Sequence, residues 1–312
     1  MTAIASPMHA HLATLADQAR DYRQSAWAAA TLRAYRSDWR GFTAWCSDRG
    51  LDSLPAVPET VALYLSDMAG VKATATLQRH LTSIGQAHKA TGHPLPTDDE
   101  TVRQVWKGIK RTFGTASSGK APLLTDDVRA MVAHLGGSPI DVRDRALVLL
   151  LYAGALRRSE LVALDLDDVT EAADGLVVTI RRAKTDQEGQ GATVGIPFGS
   201  DPATCPVRAY RHHLEVSGIA DGPIFRGMRE GQRMSGRAAA ARVQRLAALI
   251  GRDVAVVGAH SLRAGLITQA VRNGAHERDV MRHSPHRSVA VFRSYVREIG
   301  LFDANAAATA GL

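Results

Sequence analysis

The longest apolar run in the chain, Ala146 to Leu156, is closed at both ends by arginine, Arg145 and Arg157. It is too short to cross a bilayer, which takes about 20 apolar residues, so it predicts a helix buried in the core of a globular domain. With 312 residues the chain can build one large domain or two ordinary ones around such helices. A net charge of +7 and a pI near 9.7 favour a polyanionic partner without identifying it. Cys46 and Cys205 are the only cysteines. That excludes a disulfide framework and a Cys-rich zinc module, and fits a reducing cytoplasm. No basic residue precedes Arg20 and no apolar h-region lies there, so no signal peptide is expected.

From about residue 10 to 113 the pattern is helical, with no convincing strand. Leu32, Tyr35, Trp39, Phe42 and Cys46 recur at alternating steps of three and four, the stripe of an amphipathic helix, while Arg33, Arg36 and Arg40 share another face. Pro58 suits the first turn of a following helix. Another, near Thr74 to Thr91, buries Leu77, Leu81 and Ile84 and is expected to leave Arg79, His80, Thr82, Ser83 and Gln86 toward solvent. Thr97-Asp-Asp-Glu100 has the form of a capping box. The helix it predicts has Val102, Val105, Trp106 and Ile109 on one side and Arg103, Lys107 and Lys110 on another. One basic stripe is most simply a solvated face. Two in one small module also suit a nucleic-acid backbone, whose phosphates they neutralise with release of counterions. The polar residues around Arg79 are candidates for contact with base edges. Gly114-Thr-Ala-Ser-Ser-Gly-Lys-Ala-Pro122 reads as a linker, dividing the chain into residues 1–113, 114–122 and 123–312.

After the linker, Leu124-Thr125-Asp126-Asp127 opens a helix, with Thr125 as its cap and acids at the positive end of the dipole. Arg157, just past the buried run, reads by itself as a cap for that helix's carboxyl end. Leu176 to Ile180 is the best strand signal and Ala192 to Pro197 a second, with Lys184 in the hairpin between them. Lys184 is the only lysine from Ala121 to Leu312. Lysine can give a proton to a leaving oxygen, which arginine hardly can; the plainer reading is one surviving surface lysine. His260 and Arg263 stand three residues apart at the start of a predicted helix, and His286 lies nine residues before Tyr295. Imidazole, guanidinium, imidazole and phenol in that order suggest a site that holds a phosphate and attacks it. Each alone has a blander reading: His-x-x-Arg is commonly two surface residues on a helical turn, and a lone tyrosine commonly packs. A zinc site around His283 and His286 is a weaker alternative, with no cysteine beside them.

Together, Gly154-Ala-Leu-Arg157-Arg158-Ser-Glu160-Leu161, Lys184, His260-Ser-Leu-Arg263 and the stretch from His286 to Tyr295 resemble the tyrosine recombinase (phage integrase) family, and within it the Cre-type site-specific recombinases. The resemblance implies a mainly α fold with a small antiparallel β-sheet. A helical, SAM-like core-binding domain would precede a mixed α/β catalytic domain, the two closing on a duplex as a clamp. It implies that Arg157 and Arg263 hold the two non-bridging oxygens of the scissile phosphate, with Glu160 supporting the architecture. His260 would assist proton transfer, Lys184 would protonate the leaving 5′-oxygen, and His286 would hydrogen-bond and pack. Tyr295 would attack to form a 3′-phosphotyrosyl link. The family's register counts nine residues from histidine to tyrosine. Nine from His283 falls on Phe292, which has no hydroxyl, so His286 sets the register; Pro285 departs from the glycine usual there.

The expected partners are double-stranded DNA and three further copies, a homotetramer on two DNA sites exchanging strands through a Holliday junction. No cofactor, metal or ATP is expected, nor any membrane, and the expected location is cytoplasmic, at the nucleoid. The tail, with Ile299, Leu301, Phe302 and the small residues of Asp303 to Ala310, is expected to form a short helix that docks on the next protomer. Two rivals are a type IB topoisomerase-like relaxing enzyme and a non-catalytic architectural DNA-binding protein. A complete set of site residues argues against the second.

Overall fold

The amphipathic stripes of the first part of the chain become four helices: α1 (Ala29–Ser47), α2 (Pro58–Met68), α3 (Thr74–Ala90) and α4 (Glu100–Phe113). The computed structural model describes residues 15, 17–18, 22, 27–115, 120–181, 191–227 and 231–284. The chain divides into two compact units, Met1–Ser118 and Gly119–Leu312.

In the first unit Phe42, Cys46, Tyr64, Leu65, Leu77, Ile84 and Trp106 form the centre of the core. Tyr64 meets Phe42 and Trp45 edge-on, at centroid distances of 5.0 and 5.2 Å, the arrangement that ring quadrupoles favour. Two residues expected at the surface of α3, His80 and Ser83, are buried instead. They sit on the leucine face, three residues on from Leu77 and His80 respectively, and find polar partners inside. The Tyr64 hydroxyl lies 2.7 Å from His80 Nδ1, and the Ser83 hydroxyl donates to the Tyr35 carbonyl at 2.8 Å. The cap expected at Thr97 is also displaced. Pro96–Asp98 form a 3-10 turn, and Asp99 caps α4 by accepting from the Thr101 amide at 2.7 Å. Gly41 sits in the interior of α1, where a Cβ would meet nothing within 4 Å.

The second unit is helical around a small sheet: α5 (Thr125–Ala133), α6 (Pro139–Ala153), α7 (Arg158–Ala163), β1 (Val169–Ala172), β2 (Gly175–Ile180), β3 (Ala192–Pro197), α8 (Pro206–Ser217), α9 (Gly236–Leu249), α10 (Ala259–Arg272) and α11 (Glu277–His283). The mainly α fold with a small antiparallel sheet is the expected one. The strands are ordered β1-β2-β3. Alternation along β2 and β3 puts Leu176, Val178 and Ile180 on the same buried face as Val194 and Ile196, with Val178 opposite Val194 and Leu176 opposite Ile196. The apolar run is the core helix α6, buried from Ala146 through Tyr152.

Thr125 does not cap α5. The Leu124 amide donates to the Asp127 carboxylate at 2.9 Å, and the Thr125 hydroxyl is turned inward to the Tyr152 hydroxyl at 2.8 Å. Asp144, fully buried in α6, pairs with Arg143 at 2.9 Å and with Arg242, tying α6 to α9. The segment that enters this unit runs along the start of α10. The Ala121 amide donates to the Val256 carbonyl at 2.7 Å and the Leu123 amide to the Ser261 carbonyl at 2.9 Å. This approach needs Gly265, since a Cβ there would fall 1.7 Å from the Leu123 carbonyl oxygen.

One substitution at two helical glycines should therefore have opposite signs. Gly41→Ala should raise stability by about 1 kcal/mol, the intrinsic helix preference of alanine over glycine. Gly265→Ala should lower it by about 3 kcal/mol, the upper end of ordinary overpacking costs. Urea unfolding of both variants measures this, and a Gly265→Ala protein as stable as the parent would contradict the packing of α10 on Leu123.

Candidate active site

The site begins where α6 ends. Gly154 closes the helix, and Ala155 then adopts φ 46°, in the left-handed region that alanine seldom occupies. That turn costs on the order of 1–2 kcal/mol. It aims the Ala155 carbonyl at Arg263, whose Nη1 donates to it at 2.5 Å, and delivers Arg157 to the residue before α7. Buried Glu160 then fixes Arg157 twice. One carboxylate oxygen accepts from the Arg157 amide at 2.7 Å and the other from its Nη1 at 2.6 Å. Backbone and guanidinium are thus oriented by one anion beneath them.

The start of α10 supplies the opposing side. The Gly258 amide donates to the buried Ser261 hydroxyl at 3.0 Å, which holds the first turn. His260 is exposed on that turn, while Arg263, three residues on, is 1% exposed. A pocket of about 370 Å³ opens between these elements, lined by Lys120, Arg157, Arg158, Ser159, Gln244 and His260 together with the backbone-rich start of α10. Among the described residues that line it there is no carboxylate. Its walls therefore offer guanidinium, ammonium and imidazole groups to whatever enters, which suits a phosphate and repels a cation.

Of the predicted catalytic residues, Arg157 and His260 share this pocket, and Arg263 bonds to the turn that carries Arg157. Lys184, His286 and Tyr295 lie outside the described residues, as does the tail from Leu301. Arg33, Arg36 and Arg40 are exposed along α1, and Arg103, Lys107 and Lys110 along α4. Arg79 is engaged by Asp38 in a two-pronged ion pair, Nε at 2.6 Å and Nη2 at 3.0 Å.

The sequence reading did not single out Lys120 or Arg158 as site residues. Lys120 stood inside the linker, and its Nζ is placed by the Ala255 carbonyl at 2.5 Å, 135 residues away. Arg158 is the second of a pair of arginines, and that doubling was the available signal. Tyr152 and Tyr210 are both buried, which pushes their hydroxyls above the ordinary phenol range, Tyr210 to about 12. Neither lines the pocket, so neither is suited to attack there. His283 Nε2 lies 2.6 Å from the Ala153 carbonyl, at the end of α6. Among the described residues, no group of three or more His, Cys, Asp and Glu side chains could hold a metal ion, and no helix is long and apolar enough to cross a membrane.

The phage integrase family matches residues 122–299 of this chain, more than half of it. An integrase/recombinase XerD homolog of Selenomonas ruminantium is 33% identical over 285 residues, covering 88% of this chain and 84% of that protein. Recombinase Cre of Escherichia phage P1 is 24% identical over 311 residues, covering 91% and 88%. In structure, the Tn1549 transposon integrase solved in complex with transposon right end DNA aligns with a TM-score of 0.64 at 13% identity, over 90% of this chain and 92% of that one; this likeness bears on the fold. The protein belongs to the phage integrase family, the tyrosine recombinases.

Glu160 is the residue on which this arrangement turns, and its loss has a defined cost. Glu160→Ala leaves a partly buried guanidinium without its anion and α7 without its N-terminal acceptor, so stability should fall by about 3 kcal/mol. Glu160→Gln keeps an acceptor for the Arg157 amide and should cost less. Denaturant unfolding of the pair checks this; a Glu160→Ala protein within about 1 kcal/mol of the parent, the size of an ordinary surface pair, would show that Glu160 does not hold Arg157.

Proposed function

We propose that the protein is a site-specific DNA recombinase that cleaves and rejoins duplex DNA through a 3′-phosphotyrosyl intermediate. The observation that carries this reading is the pocket in which Arg157 and His260 meet beside Lys120 and Arg158, in a member of a family of recombinases. Two relatives of similar fold were solved on DNA, XerH on its difH substrate and the Tn1549 integrase on transposon DNA, which supports duplex DNA as the partner here.

In this mechanism the Tyr295 hydroxyl attacks the scissile phosphorus, the bond from phosphorus to the 5′-oxygen breaks, and a tyrosyl phosphodiester takes its place. His260 assists in moving the tyrosine proton, and Lys184 gives a proton to the departing 5′-oxygen. Arg157 and Arg263 stabilise the charge that builds on the non-bridging oxygens, with Lys120 and Arg158 adding to the positive surroundings. His286 hydrogen-bonds and packs beside the tyrosine. One phosphodiester replaces another, so attack by a 5′-hydroxyl of a partner duplex restores the DNA backbone without ATP.

Residues 1–113 act as the core-binding domain, with Arg33, Arg36, Arg40, Arg103, Lys107 and Lys110 on the DNA backbone. Residues 114–122 are the linker and 123–312 the catalytic domain. Four protomers on two sites exchange strands through a Holliday junction, with the tail docking on the neighbouring protomer, and the work is done on cytoplasmic DNA at the nucleoid.

The test is a nicked suicide substrate built from the recombination site and run on a denaturing gel. The parent should accumulate a covalent protein–DNA adduct, and Tyr295→Phe should form none while binding the same duplex within about twofold, since one lost hydroxyl removes almost no phosphate contact. An adduct that persists in Tyr295→Phe would assign the attack to another residue.

A further inference from the structure

The helical unit holds a second polar site, built from none of the residues of the proposed chemistry. A pocket of about 560 Å³ lies among α1, α2 and α3, with Ser37, Gly41 and Ala44 of α1, Tyr64 and Met68 of α2, Thr76, Arg79 and His80 of α3, and Lys72 among its lining. At its base Asp38 accepts from Arg79 Nε and Nη2, at 2.6 and 3.0 Å. His80 Nε2 stands 3.2 Å from Asp38 Oδ1, and His80 Nδ1 is 2.7 Å from the Tyr64 hydroxyl.

In the neutral imidazole Nε2 carries the proton on the side of Asp38, and Nδ1 accepts from the tyrosine hydroxyl. Burial lowers the pKa of His80 and favours this neutral form. Tyr64 thus fixes His80, His80 helps fix Asp38, and Asp38 fixes the guanidinium. The exposures are unequal: the Asp38 side chain is 5% exposed and that of Arg79 45%. The pair buries the anion and presents the cation.

We propose that Arg79, buttressed by Asp38, reads the N7 and O6 edge of a guanine in the target DNA. This deepens the recombinase reading and rests on it. With Nε and one Nη2 hydrogen committed to Asp38, the group still presents the fork formed by Nη1 and the outer hydrogen of Nη2. Two parallel donors match the two acceptors of guanine; adenine and cytosine present a donor there, and thymine a single acceptor. With Asp38 and Asp48 balancing Arg79 and Lys72 in this pocket, the pair is a poorer ligand for phosphate than a lone guanidinium and a well-oriented one for a neutral base edge. The α1 wall supports close approach. Gly41 is tolerated in mid-helix although its missing Cβ would meet nothing in the protein, which keeps that surface low for a group from outside.

The experiment is selection from a randomised duplex library, with the full-length parent, Arg79→Lys, Arg79→Ala and Asp38→Asn run in parallel, each first checked for a parental thermal unfolding profile. Guanines in the selected site are then replaced singly by 7-deazaguanine. The parent should enrich a site in which one such replacement weakens binding about tenfold or more. Arg79→Lys and Arg79→Ala should enrich the same site without preference at that position and be indifferent to 7-deazaguanine there. Arg79→Lys keeps the charge but not the fork, so retained guanine preference in it would overturn the proposal. So would a uniform loss of affinity in Arg79→Ala with every base preference intact, which would mark a phosphate contact. A parent that enriches no sequence would overturn the site-specific reading itself, whereas a parent and an Arg79→Ala protein that enrich identical sites would overturn this proposal alone.

Discussion

Cations gathered in one pocket repel one another, by about 4 kcal/mol for two unit charges 4 Å apart at an effective dielectric of 20. The second unit can hold Lys120 and Arg157 around one space, beside Arg158 and His260, because it anchors the first two to separate acceptors. Arg157 is held from below by the buried carboxylate of Glu160 and Lys120 by the Ala255 carbonyl. Arg263, behind them, donates to the Ala155 carbonyl. Only one of these anchors is itself charged, so the pocket stays positive. A phosphate entering it relieves repulsion already built into the fold, and a phosphorus centre that gains negative charge on attack relieves more.

The two units use one device for different ends. In each, a carboxylate is buried and its guanidinium partner reaches toward the surface: Glu160 under Arg157, Asp38 under Arg79. Around Arg157 further cations remain, and the balance suits a charged ligand. Around Arg79 the carboxylates of Asp38 and Asp48 balance Arg79 and Lys72, and what survives is a charge-balanced site with a fixed set of donors. Electrostatics and orientation are thereby separated, one suited to holding any phosphate and the other to distinguishing bases.

Much of this was legible in the sequence where periodicity or spacing carries it. The stripe from Leu32 to Cys46, the buried run from Ala146 and the strand signals at Leu176 and Ala192 all became the predicted elements. The brief β1 has one partly buried residue and three exposed ones, and so no alternation to find. Polar side chains misled where chemistry was read as exposure. His80 and Ser83 turned inward because Tyr64 and the Tyr35 carbonyl satisfy them. Thr97 and Thr125 lost their capping roles to Asp99 and to the Leu124–Asp127 pair. The least legible features join distant segments. Asp38 and Arg79 are 41 residues apart, and the fit of Gly265 against Leu123 leaves no mark in either stretch alone. Arg157 and His260 were found by their motifs, but only folding puts them in one pocket with Lys120.

The account stands on Arg157 acting upon charge at a phosphate. The most direct test compares two forms of the suicide substrate, one with an ordinary scissile phosphodiester and one with a methylphosphonate there, in which a methyl group replaces a charged oxygen. Cleavage rates would be measured for the parent and for Arg157→Ala. On the phosphodiester, Arg157→Ala should be slower by roughly 10²–10³-fold, the usual consequence of removing one donor to a developing oxyanion. On the methylphosphonate, with less charge to stabilise, most of that loss should disappear. An Arg157→Ala protein impaired equally on both substrates would contradict the account and leave Arg157 with a purely structural task.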